Sequence, residues 1–230
     1  MSDVLVVNAI NVAYGQSQVI ESLSLSAAAG EIVALMGLNG MGKTTFMKAV
    51  MGLLPVRRGK ITVNAADVTN AAPHQRVAMG LGYVPQGRMV FPKLTVEENI
   101  QTGLRSKGDI PERLFKYFPA LASMRKRRGG DLSGGQQQQM VIARALASKP
   151  KVLLLDEPTE GIQPSVIKEL AGILKTIRDE EGLTIVVSEQ VLSFASSVAD
   201  RVVVLERGRT VHEGERGKIE EEEIRKLLSI

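Results

Sequence analysis

Gly37-Leu38-Asn39-Gly40-Met41-Gly42-Lys43-Thr44 matches the phosphate-loop pattern G-x-x-x-x-G-K-[ST] at every fixed position. Its flanks agree: Glu31 to Met36 reads as a short buried strand, and Lys43 to Met51 as a helix stopped by Gly52. Loops of this kind use Gly37, Gly40 and Gly42, with Asn39 between them, to turn consecutive backbone N–H groups onto a phosphate chain. The exposed N-terminus of the following helix adds partial positive charge. In that arrangement Lys43 reaches the β and γ phosphates, Thr44 places its hydroxyl on a bridging Mg²⁺ ion, and Thr45 adds a hydroxyl nearer the nucleoside. The alternative is a glycine-rich turn with an incidental lysine, which produces the whole pattern by chance on the order of one per cent of the time.

The totals bound the rest. A chain of 230 residues suits one large domain, or a core with a subdomain, and buries roughly 70 to 75% of its unfolded surface. There are no cysteines, so disulfides and thiolate zinc sites are excluded. No apolar run approaches a membrane span, and no basic region followed by an apolar core marks the N-terminus, so the chain is not expected to be inserted or exported by itself. With 29 Lys plus Arg against 25 Asp plus Glu, the net charge of +4 is modest and the signs are mixed, which speaks against nucleic acid as a partner.

Two further segments carry chemistry. Val152 to Leu155 is an apolar run ending in Asp156-Glu157, as expected of a strand buried on both faces of a parallel sheet. The carboxyl end of such a strand is where these sheets bind ligands, so Asp156 suits a Mg²⁺-holding role and Glu157 a base that orients attacking water. Leu132-Ser133-Gly134-Gly135-Gln136 leads into a helix with Met140, Val141, Ala145 and Leu146 at helical spacing. It reads either as an ordinary Ser133 N-cap or as a second anion site built from a hydroxyl and bare amides.

The remaining elements follow from pattern. Val4 to Tyr14, Ser22 to Ser26, Lys60 to Val63, Leu81 to Val84 and Leu183 to Val187 read as strands. Tyr14 either stacks on an adenine or packs at its strand end. Pro73 to Met79 is a short helix closed by Gly80, Thr95-Val96-Glu97-Glu98 a capping box, and Asp109-Ile110-Pro111 a helix start with Asp109 as N-cap. The run Arg125 to Arg128 is read as a solvated loop, with an anionic partner as the alternative. Pro164 to Glu180 carries an amphipathic stripe, and Arg201 to Leu205 with Thr210 to His212 forms a hairpin turning at Arg207-Gly208. Glu220 to Glu223 begins or precedes a terminal helix. Gln86, in the turn after Leu81 to Val84, and Gln190, after Leu183 to Val187, emerge on the same edge as Glu157.

With these elements in this order, and Asp156 following Ser133 by 23 residues, the chain resembles the ATP-binding subunit of an ABC transporter over essentially its whole length. The resemblance implies an α/β fold of the P-loop NTPase class: a mixed β-sheet core, an antiparallel β-subdomain and an inserted helical subdomain. The core would comprise residues 1–87 and 151–230 of a single ATPase domain, and the helical subdomain residues 88–150. ATP and Mg²⁺ are the implied cofactors. Tyr14 would stack on adenine, Gln86 would contact the metal and sense the membrane partner, Glu157 would be catalytic, and Gln190 would meet the γ-phosphate. Ser133, Gly134, Gly135 and Gln136 would complete the ATP site of a second subunit. The implied partners are transmembrane permease subunits, a second related ATPase and, indirectly, a periplasmic solute-binding protein, which places the chain peripherally on the cytoplasmic face of the inner membrane.

More narrowly, Gly82 to Arg88, Gln136 to Gln139 and Pro158 to Pro164 are similar to the ATPases of branched-chain amino acid importers, and most of all to one ATPase of the bacterial urea importer. Gln190 stands where most members have a histidine, and Gln163 where most have an aspartate. A soluble ABC ATPase acting on DNA or ribosomes is the alternative of another class; the 90-residue spacing from Lys43 to Ser133 leaves no room for its long coiled coils.

Overall fold

Two long antiparallel strands, β1 (Asp3–Tyr14) and β2 (Ser17–Ala28), open the chain in a computed structural model that describes residues 2–215. Then come β3 (Ile32–Met36), α1 (Lys43–Met51), β4 (Arg58–Val63), β5 (Ala66–Asp67), α2 (Pro73–Ala78) and β6 (Leu81–Val84). A helical stretch follows, with α3 (Val96–Gln101), α4 (Glu112–Tyr117), α5 (Pro119–Ala122) and α6 (Gly134–Ala147). The chain returns to alternation with β7 (Val152–Asp156), α7 (Pro164–Glu181), β8 (Thr184–Glu189), α8 (Leu192–Val198), β9 (Arg201–Glu206) and β10 (Arg209–Glu215). The acidic run Glu220 to Glu223 lies outside the described residues.

These strands form two sheets: an antiparallel one ordered β2-β1-β4-β5, and a six-stranded one ordered β10-β9-β3-β8-β7-β6. In the larger sheet β9, β3, β8, β7 and β6 are parallel and β10 is antiparallel to β9, so the sheet is mixed. The turn between β9 and β10 is made by Arg207 and Gly208 at φ 46° and 78°, the left-handed pair of a tight hairpin. Every residue of β3, β7 and β8 is buried, which explains the unbroken apolar runs Ile32–Met36, Val152–Leu155 and Ile185–Val187 in place of alternation; the polar residues of these strands stand at their ends.

Alternate residues of each central strand supply a different core. Ile32, Ala34, Leu153, Leu155, Ile185 and Val187 face a cluster shared with α6, α7 and α8, whereas Val33, Leu35, Val152, Leu154 and Val186 face one shared with α1 and the antiparallel sheet. The buried apolar residues of α3 to α6, such as Ile100, Leu114, Leu121 and Met140, belong to the first cluster and so share a core with the sheet. Register then fixes the functional edge. Met36 of β3 pairs with Glu189 of β8, and Asp156 of β7 with Ser188, so the carboxyl ends of the three strands lie side by side.

One local expectation changes. Asp109 is exposed, the N-cap of α4 is Pro111, and no side chain caps that helix. Asp109 lies three residues before the first helical residue, too early to reach the orphan N–H groups. Within the basic run, Arg125 is already engaged: it pairs with both carboxylate oxygens of Glu112 at 2.9 and 2.8 Å and lies over the Phe115 ring.

The helix behind the phosphate loop is anchored from its far end by Arg76, which is 2% exposed and has no acidic partner among the described residues. Its guanidinium donates to the carbonyls of Ala49, Val50, Thr69 and Ala71 at 2.6 to 2.9 Å. Ala49 and Val50 belong to the last turn of α1, so the cation complements the helix dipole and supplies a donor to Val50, while the Ala49 carbonyl accepts from the Gly52 N–H as well. Arg76→Ala takes this donor from the carbonyls of Val50, Thr69 and Ala71, and the expected loss is about 2 to 3 kcal/mol of stability, read as a shift of the denaturant midpoint.

Candidate active site

The loop between β3 and α1 needs its glycines for steric reasons. Gly40 and Gly42 take φ of 81° and 106°, and a Cβ at Gly42 would stand 2.7 Å from Ile20 Cδ1. A Cβ at Gly37 would stand 2.7 Å from the carbonyl oxygen of Leu205. Curled this way, the loop borders an open cleft of about 310 Å³. Asn39, Gly40 and Gly42 through Thr45 line it together with Val19, Gln86 and Glu157.

Lys43 is 3% exposed and sits at the centre of the loop's charge. Its Nζ donates to the carbonyls of Gly37 and Leu38 at 2.7 and 3.0 Å and is 3.0 Å from Glu157 Oε1. Glu157 accepts on its other oxygen from the Gln86 amide at 3.2 Å and, at the outer limit of 3.5 Å, from the Gln190 amide. Gln86 also reaches Glu160 at 3.2 Å. The cleft thus holds a buried cation and a buried carboxylate that neutralise each other, with two amides turned toward the carboxylate.

Glu157 takes φ 48°, an uncommon conformation for a side chain of its size. Its N–H is held by the carbonyl and hydroxyl oxygens of Ser188, each at 3.1 Å. Asp156 lies directly behind, 1% exposed, and accepts from Ser188 at 2.6 Å, Thr44 at 3.1 Å and Tyr83 at 3.3 Å. Burial and the neighbouring Asp156 push the Tyr83 hydroxyl upward, which keeps it a neutral donor.

Among the described residues no cluster of three or more His, Cys, Asp or Glu is placed to hold a metal. The oxygens grouped at the cleft are the Thr44 hydroxyl and the Asp156 carboxylate, 3.1 Å apart. This donor set suits Mg²⁺, which binds through one or two protein oxygens and takes the rest of its shell from phosphates and water.

Thus Asn39, Gly40, Gly42 through Thr45, Gln86, Asp156, Glu157 and Gln190 converge, with Gly37 at the loop's entry. Ser133, Gly134, Gly135 and Gln136 do not line this cleft. Ser133 and Gln136 form a reciprocal capping box at α6, Gly134 lies against the Arg88 guanidinium and Gly135 against Val166. Tyr14 is 47% exposed at the end of β1 and so is not packed there. Ser188, Tyr83 and Arg88 were not anticipated. Arg88 donates to the carbonyls of Glu160 and Gly161 at 2.8 and 3.3 Å, a reach of more than seventy positions that periodicity does not reveal.

The family model described as ABC transporter matches residues 20–160, more than half of the chain. The chain belongs to the ABC transporter ATPase family. It is 38% identical over 203 residues to the high-affinity branched-chain amino acid transport ATP-binding protein BraG of Pseudomonas aeruginosa, covering 86% of this chain and 87% of that protein. It is 33% identical over 210 residues to the lipopolysaccharide export system ATP-binding protein LptB of Escherichia coli, covering 88% and 86% respectively. A solved nucleotide-free ATP-binding cassette from an ABC transporter superposes with a TM-score of 0.87 at 25% identity, covering 100% of this chain and 96% of that one. This ABC ATPase therefore has the α/β cassette fold with mixed and antiparallel sheets, binds ATP and hydrolyses it as the energising subunit of a transporter. Among the described residues no helix is long and apolar enough to cross a membrane.

Proposed function

We propose that this ABC ATPase powers uptake of a small polar solute, acting peripherally at the cytoplasmic face of the inner membrane against transmembrane permease subunits. The observation that carries the mechanism is the pairing of Lys43 with Glu157 inside the phosphate-loop cleft. ATP brings a γ-phosphate to Lys43, which exchanges a carboxylate partner for phosphate oxygens and leaves Glu157 free to accept a proton from water. Thr44 and Asp156 would hold Mg²⁺, which would supply neutralisation of phosphate charge. Gln190 and Gln86 orient the Glu157 carboxylate, and Tyr14 offers an exposed ring for adenine. Because Ser133 to Gln136 stand outside the cleft, they are free to complete the site of a second ATPase subunit, and the resemblance to amino acid and urea importers supports a related chain, hence a heterodimer, as that second subunit.

A second groove, of about 500 Å³, supports the membrane partner. Leu53 and Phe91 line it and are 51% and 47% exposed, and Met89 nearby is 65% exposed. Apolar side chains gathered around one concave surface mark an interaction site rather than scattered exposure. A helical segment between permease spans is the occupant proposed. Leu53→Asp with Phe91→Asp is expected to abolish co-purification of the permease while ATP binding by the purified chain stays unchanged; retained permease would rule out this groove.

For the solute, the identity to a branched-chain amino acid protein supports leucine, isoleucine or valine. The Gly82 to Arg88 and Pro158 to Pro164 stretches support the narrower reading, urea. Uptake of labelled leucine and labelled urea by cells with and without this chain decides between them. Loss of neither uptake, or association with ribosomes or DNA in place of membrane subunits, overturns the importer reading.

A further inference from the structure

One buried carboxylate at this edge takes no part in the scheme above. Glu189, the last residue of β8, is 1% exposed. Its Oε1 accepts from the Thr159 N–H at 3.1 Å and the Thr159 hydroxyl at 2.6 Å. Its Oε2 accepts from the N–H groups of Gln190 and Val191 at 3.0 and 3.1 Å. Its backbone carbonyl accepts from the Gly37 N–H, at the entry to the phosphate loop, at 3.3 Å. Burial pushes this carboxyl upward, and its four hydrogen-bond donors act in the opposite sense.

We propose that Glu189 is a positioning residue for hydrolysis: its carboxylate ties the segment following Glu157 to the segment carrying Gln190, and so holds the Glu157 carboxylate against the Gln190 amide. The inference rests on the reading of Glu157 as the base. Thr159 is joined to Glu157 only through Pro158, whose ring fixes φ, so a displacement of Thr159 is passed back to Glu157 with little slack. Glu157 itself is held at φ 48°, and such a conformation persists only where its surroundings over-determine it. Ser188 restrains it from the N–H side, and Glu189 restrains it from the Thr159 side. Only an ionised carboxylate serves all four donors, because both of its oxygens accept and neither donates. A glutamine keeps the shape but turns an NH₂ group onto one pair of donors, releasing either Thr159 or the Gln190 turn.

The test uses the chain assembled with its membrane partners, in the variants Glu189→Gln, Thr159→Val, Gln190→Ala and Glu189→Gln with Gln190→Ala. Glu189→Gln is expected to lower kcat on the order of 10- to 100-fold, the scale of a small misplacement of a reacting group. Affinity for a fluorescent ATP analogue should stay within about threefold, because the phosphate loop is untouched. Adding Gln190→Ala to Glu189→Gln should change kcat less than it does in the unmodified chain. Thr159→Val, which removes one donor, should show the same kcat loss in smaller measure, and it decides the matter if Glu189→Gln does not fold. Unchanged kcat in both Glu189→Gln and Thr159→Val, or parallel loss of kcat, affinity and melting temperature, overturns the inference. Glu157→Gln measured alongside separates the two readings. Turnover by that variant removes the base assignment, whereas an inactive Glu157→Gln beside a fully active Glu189→Gln removes only the role of Glu189.

Discussion

Replacing Glu157 with glutamine is expected to lower ATP turnover by about 10²- to 10⁴-fold while ATP binding stays close to normal. The change removes a proton acceptor without altering the shape of the cleft. Gly40, Gly42, Thr44 and Thr45 keep their places, so the phosphate cradle survives. Lys43 loses its carboxylate partner but keeps two carbonyl acceptors, Gly37 and Leu38, at 2.7 and 3.0 Å. Freed from Glu157, it meets less competition for phosphate, so ATP affinity should be equal or somewhat higher. Phosphate release by the assembled transporter, set against equilibrium binding of a fluorescent ATP analogue, checks both halves. Near-normal turnover would show that another group takes the proton, and equal losses in rate and affinity would show that Glu157 shapes the cleft instead.

The site was legible in the sequence where local pattern and chemistry coincide. The phosphate loop could be read because a strand, two fixed glycines, a lysine and a helix fall in a single stretch of chain. Val152 to Asp156 could be read because a strand covered on both faces must be apolar throughout, which leaves its terminal carboxylates conspicuous. Asp109 was misleading for the opposite reason: an Asp shortly before a Pro imitates a helix start, and only the backbone path shows that α4 begins too late for it. The role of Glu189 was hidden because an acid at a strand end looks solvated, and its four donors come from segments about thirty positions apart or from its immediate neighbours. Arg88 and Ser188 act through partners far along the chain in the same way. The Ser133 element was visible as a cap, yet its wider purpose lies outside any single chain's cleft.

Lys43→Ala should damage the protein before ATP is ever added. The ammonium and the Glu157 carboxylate are 3.0 Å apart, with side chains only 3% and 6% exposed. Deleting one partner of such a pair strands the other charge away from water, and the expected loss is about 3 kcal/mol of stability. It also removes the donor to Gly37 and Leu38, so the loop loses the side chain around which it curls. ATP affinity should fall as well, since among the described residues no other cation lines the cleft. Glu157→Gln leaves a cation that still has two carbonyl acceptors, and it should therefore cost less stability than Lys43→Ala. The double variant makes the argument testable. If the stranded carboxylate causes most of the loss, adding Glu157→Gln to Lys43→Ala should recover part of it, giving a double-variant cost smaller than the sum of the single ones. Urea unfolding of the purified chain without nucleotide measures all three. Strictly additive losses would mean that the pair contributes nothing as a pair, and that Lys43 stabilises the loop through its carbonyl contacts alone.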